Sequence, residues 1–67
     1  MGLHQYEIDF SQLSLDEKNK LSEHLENFTF NGLFWNENFQ SAVFFTDENL
    51  DISLLNVPDR CHLNRIL

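Results

Sequence analysis

The chain is poor in the residues that build the commonest small scaffolds. Its 67 residues include a single cysteine, one proline and two glycines. One cysteine excludes an internal disulfide, which removes the stapled secreted scaffold and makes a reducing compartment the simpler reading. So little glycine and proline leaves no flexible linker and no low-complexity tract, and no repeat with a period of roughly 20 to 50 residues is visible. Positive charge is scarce: 4 lysines and arginines face 11 aspartates and glutamates, for a formal charge of -7 and a pI near 4.5. Such a balance argues against direct binding to phosphate backbones. Long apolar runs are missing too. Ala42 to Phe45 is the longest, far short of the ~18 residues that span a bilayer. The first residues, Met1 to Glu7, carry neither a basic nor an apolar leader segment. These absences lead us to expect a soluble, cytoplasmic protein without membrane association.

What is present points to a folded domain. Hydrophobic residues make up 42% and aromatics 13%, with seven Phe, one Trp and one Tyr, whereas disordered acidic chains are poor in aromatics. A chain of this length buries only about 60% of its unfolded surface, so one marginal core over residues 1–67 is expected, and self-association would add to its stability.

Hydropathy patterning predicts an α+β domain. From His4 to Phe10 the chain alternates, with Tyr6, Ile8 and Phe10 on one face and Gln5, Glu7 and Asp9 on the other, the pattern of a half-buried strand. Ser14-Leu15-Asp16-Glu17 fits a capping box and predicts a helix running to about Glu26, with Leu21 and Leu25 on a narrow apolar face and Asn27 as its stop. Phe28 to Trp35 reads as one long strand bulged or bent at Gly32, in preference to a hairpin tipped by Asn31-Gly32. After a turn at Asn36-Glu37-Asn38, a strand is predicted over Phe39 to Thr46, with Ser41, Val43 and Phe45 on one side and Ala42, Phe44 and Thr46 on the other. A short strand over Ile52 to Val57 and a terminal helix over Asp59 to Leu67, opened by Pro58, complete the expectation. The predicted order is β-α-β-β-β-α: a small antiparallel or mixed sheet with two short helices on one face.

No catalytic pattern emerges. His4, His24, Cys61 and His62 are the soft or imidazole donors, and none stands at ligand spacing: adjacent Cys61 and His62 would point about 100° apart on a helix. No metal, cofactor or catalytic residue is assigned. Cys61 has no signature of a cysteine enzyme around it and reads as a packing residue of the terminal helix or a surface thiol. Asp47, Glu48 and Asp51 lie in a turn, where carboxylates are usually solvated, and there is no glycine-rich phosphate loop.

Charge placement says more. No lysine or arginine stands between Leu21 and Asp59, a stretch that holds seven carboxylates and most of the aromatics. Two explanations compete: a solvated surface that keeps an apolar chain soluble, or a field that meets a basic partner. With a radius of gyration near ~11 Å, the chain spans about 28 Å, over which one nucleic-acid strand carries roughly eight charges and a duplex roughly sixteen. A monomer therefore matches one phosphate track at most, and a dimer comes closer. Stacking of bases on the Phe-rich strands is disfavoured because they carry no basic residues. The expected function is accordingly non-enzymatic: an acidic module, expected to be a homodimer, that binds a basic, nucleic-acid-handling protein as an inhibitor or regulator. Phe34 and Trp35 would be its apolar anchors, and Glu37, Asp47, Glu48 and Asp51 its electrostatic contacts. The alternative is an assembly module that self-associates through a Phe-rich sheet face.

Overall fold

The computed structural model describes residues 2–36 and 38–66. The chain runs β1 (Leu3–Asp9), α1 (Leu15–Glu26), β2 (Phe30–Trp35), β3 (Ser41–Asp47), a 3-10 turn η1 (Ile52–Leu55) and β4 (Leu63–Arg65). The four strands form one sheet in the order β2-β3-β1-β4, with every neighbouring pair antiparallel. This is an α+β domain, and its one α-helix packs against one side of the sheet.

Alternation decides which residues go inside. Tyr6 and Ile8 from β1, Phe10 just beyond its end, and Ala42, Phe44 and Thr46 from β3 are buried, while their neighbours in sequence turn outward. Leu13, Leu25, Leu55 and Cys61 close the core, with Leu21, Phe28, Leu33 and Trp35 half-buried around it. Tyr6 stacks on Phe44 with ring centroids 5.5 Å apart, and Phe10 meets Trp35 at 4.9 Å.

Helix α1 starts and stops where its sequence dictates. The Ser14 hydroxyl accepts from the Glu17 N–H at 3.2 Å, and the Glu17 carboxylate accepts from the Ser14 N–H at 3.0 Å. These two bonds satisfy backbone donors that the first helical turn leaves open. Asn27 is the C-cap, its N–H donating back to His24 and Leu25 carbonyls.

The bend expected at Gly32 is a bulge of two residues. Phe30 faces Phe45 and Phe34 faces Val43, so a four-residue step on β2 matches a two-residue step on β3. Asn31 and Gly32 absorb the excess by taking φ of 64° and 73°. Asparagine and glycine are the residues that tolerate this left-handed conformation most readily.

The second half departs from expectation. Phe39 is not in a strand: it takes φ of 55° in a turn held by Asn36, whose side-chain oxygen accepts from the N–H groups of Asn38 and Gln40. The predicted strand over Ile52 to Val57 is instead η1. Asp51 captures the Ser53 N–H and hydroxyl at 3.1 and 2.8 Å, and this local bonding outcompetes an extended ladder. Asn56, at φ of 50°, ends the turn.

Nor does a terminal helix form. Pro58 to Cys61 make a turn, and β4 then pairs with Tyr6 to Ile8 of β1. A helix of so few residues is marginal in isolation, whereas β4 satisfies the second edge of β1 and keeps Leu63 half-buried against the core. With β4 beside β1 the sheet is not a simple meander: the first strand is central, and one helix, not two, covers the core side.

Candidate protein-binding face

One face of the sheet is uncovered. Residues paired across an antiparallel sheet point to the same side, so the registers place Phe30 with Phe45, Phe34 with Val43, Glu7 with Val43 and Asn64, and Asp9 with Ser41 on the face away from α1. Phe30 and Phe34 are 46% and 51% exposed, and Val43 and Phe45 are half-buried. The Phe34 and Phe45 rings meet edge to face at 6.1 Å. The result is an apolar strip two strands wide on β2 and β3, bordered on β1 by Gln5 and Glu7, with Asp9 opposite Ser41 just beyond its end.

Beside the strip, Glu7, Asp9, Gln40, Ser41, His62 and Asn64 line an open concavity of about 540 Å³. Its lining is carboxylate, amide, hydroxyl and imidazole, with no lysine or arginine. Hydrogen bonds from the Ser11 hydroxyl and N–H hold the Asp9 carboxyl below its ordinary range, so it is anionic throughout the physiological range. Among the described residues the cations lie elsewhere. Lys18 donates to the Phe39 carbonyl at 2.9 Å, Lys20 pairs with Asp16 on α1, and Arg60 bonds Glu17 at 2.8 Å. Arg65 pairs with Tyr6 and so points to the core side of the sheet. The open face therefore carries carboxylates, Glu7, Asp9 and Asp47, with the His62 imidazole beside Asp9 and no described lysine or arginine among them.

The residues anticipated as a site are not all brought together. Phe34 is on the open face as an exposed anchor should be. Trp35 is on the opposite face, half-buried between Phe10 and Phe39, so the two aromatics cannot serve one flat partner surface together. Asp47 ends β3 on the open side, but its carboxylate accepts from the Asn49 N–H at 2.8 Å. Glu48 is in the following turn, with its N–H donating to the Gly2 carbonyl. Asp51 caps η1, and its bonds from Ser53 lower its pKa. Glu37 lies outside the described residues. Asp47 and Asp51 each accept from an N–H two residues on, as Asp9 does from Ser11, and sequence reasoning passed over Glu7, Asp9, Phe30 and Phe45 on the open face. Period-two alternation was the signal that could have found them, since it had already put Glu7 and Asp9 opposite the core residues.

Metal and thiol chemistry find no support in the geometry. No group of three or more His, Cys, Asp or Glu side chains suited to a metal ion occurs among the described residues. Cys61 is buried, and that burial pushes its thiol up from the ordinary value. No helix of the described residues is long and apolar enough to cross a membrane. No protein-family model matches the chain, and neither a curated protein nor a solved structure matches it.

Proposed function

We propose that the chain is a non-enzymatic protein-binding module that engages a basic partner through its open sheet face, and thereby inhibits or regulates a nucleic-acid-handling protein. The observation that carries this reading is the exposed Phe30 and Phe34 strip on a face that also presents Glu7, Asp9 and Asp47, with no described lysine or arginine on it. Apolar contact supplies affinity, while carboxylates select a positive surface and speed encounter. Both sheet edges are ill suited to adding a strand: β2 is broken by its bulge and β4 is three residues long. Contact through the face is the remaining mode.

Imitation of a nucleic-acid strand is the sharper form of the proposal. The longest dimension is 35 Å, over which one strand carries about ten charges, against a net charge of -7. The match is in total charge, with phenylalanines interrupting the track. Affinity for a basic partner should fall several-fold between low and physiological ionic strength and on reversal of Glu7 and Asp47. Binding indifferent to both would refute the electrostatic part.

The same exposed phenylalanines favour a second reading, a homodimer joined at this face. The two longer dimensions, 35 and 23 Å, limit any face to roughly 600 Å² in projection, which suits a standard or transient interface better than an obligate one. Light scattering on the wild type and on Phe34→Asp separates the readings, because only the dimer predicts a halving of mass.

A further inference from the structure

The strip and the concavity together have the shape and polarity of a receptor for one kind of element. Resting on the protein-binding reading above, we propose that the open face seats a basic amphipathic helix of the partner, its apolar stripe on Phe30, Phe34, Val43 and Phe45 and a flanking arginine in the Glu7–Asp9 concavity.

Dimensions favour a helix. Strands lie about 4.8 Å apart, so a strip two strands wide matches the ~10 Å diameter of a helix. Along β3 the apolar residues Val43 and Phe45 are two positions apart, roughly 7 Å, which two helical turns with side chains at i, i+3 or i+4, and i+7 cover. An added strand is disfavoured by the bulged edge of β2 and the short β4.

Charge fixes the helix's chemistry. Glu7 is directly across from Val43, and Asp9 is one outward position further along β1. A helix on the strip therefore carries its flanking side chains over these carboxylates. A guanidinium fits the concavity because the Glu7 carboxylate, the Asp9 oxygen not bonded by Ser11 and the amides of Gln40 and Asn64 present acceptors, and a planar fork of five donors uses several at once, while the Ser41 hydroxyl already accepts from the Asn36 amide. A second copy of this chain fits worse: it would set Glu7, Asp9 and Asp47 against their own equivalents, with no described lysine or arginine on the face to compensate.

The probe is a synthetic helix of roughly 15 residues with leucines at i, i+3, i+4 and i+7 and arginines on both flanks, compared with a scrambled peptide of identical composition. Binding is read by anisotropy of the labelled peptide and by amide chemical-shift changes on the full chain. The designed peptide should shift Phe30, Phe34, Val43, Phe45, Glu7 and Asp9, Glu7→Lys should weaken it about tenfold or more, and Phe34→Asp should abolish it. Leu15→Asp, on the exposed flank of α1, should leave it unchanged. Equal binding of the scrambled peptide, shifts confined to another face, or no binding of the designed peptide overturns the proposal. So does a dimer that Phe34→Asp turns into a monomer, since a second copy would then own the face. A basic partner whose binding weakens with salt but survives Phe34→Asp would keep the protein-binding function and remove only this docking mode.

Discussion

Individual residues divide into those that hold the backbone and those that face outward. Gly32 has nothing near the position a Cβ would take, so its requirement comes from a φ of +73° alone. Gly32→Ala should cost about 1 kcal/mol, seen as a lower urea midpoint, whereas D-alanine introduced by chemical synthesis should lose almost nothing. Equal losses for both enantiomers would mean that space, not handedness, matters there. Phe34 and Trp35 make the same point about direction. Trp35→Ala removes a ring packed on Phe10 and should destabilise by roughly 2 to 4 kcal/mol. Phe34→Ser removes a ring already half in water and should change stability by less than about 1 kcal/mol. Thermal melts of the two variants check this, and a larger loss from Phe34 would contradict the assignment of faces.

At the scale of elements, α1 is tied to the rest of the chain at its start. Glu17 closes the capping box and also accepts from Arg60, in the turn before β4. The Ser14 backbone N–H and the Arg60 guanidinium lower the Glu17 pKa from 4.5 to about 2. Because the folded value lies below the unfolded one, the stability this group adds is complete above about pH 4.5 and is lost as pH falls towards 2. Asp9 and Asp51 are lowered as well and act in the same direction below their ordinary 3.8. Glu17→Gln should therefore flatten the acid limb of a stability-against-pH curve measured from pH 6 to about 2. An unchanged slope would show that Glu17 is equally acidic in the unfolded chain. Ser14→Ala, which removes the other half of the box, should cost about 1 kcal/mol at neutral pH, read from urea unfolding.

For the whole molecule, shortness and charge act together. The radius of gyration, 11.1 Å, is that of a compact chain of this length, yet one helix and a four-stranded sheet leave Leu3, Leu15, Phe30, Phe34 and Phe39 about half exposed or more. A domain this small has too few elements to cover both sides of its sheet. Lowering salt should destabilise the free chain modestly, because seven uncompensated negative charges repel more strongly when screening weakens. The melting temperature of the monomer should rise between about 10 and 150 mM salt, and a fall would mean that its ion pairs outweigh that repulsion.

Local chemistry was legible in the chain. The capping box, the alternating faces of the first strand and β3 and the bulge at Gly32 all follow from neighbours a few residues apart, whose bonds and periodicity are properties of the sequence itself. Tertiary structure decided what depends on distant partners. Leu63 to Arg65 became a strand because β1 offered an unpaired edge more than fifty residues earlier, and no local pattern announces that. Adjacent in one predicted strand, Phe34 and Trp35 already faced opposite ways by alternation, and tertiary packing decided that Trp35, the preferred anchor, is the one turned to the core. The acidic middle segment likewise lost its unity once strand pairing put Asp47 on the open face with Glu7 and Asp9, far away in the chain, while Asp51 stayed on the cap of η1. The sign of the charge is a matter of composition; the surface that presents it is set by which strands lie side by side.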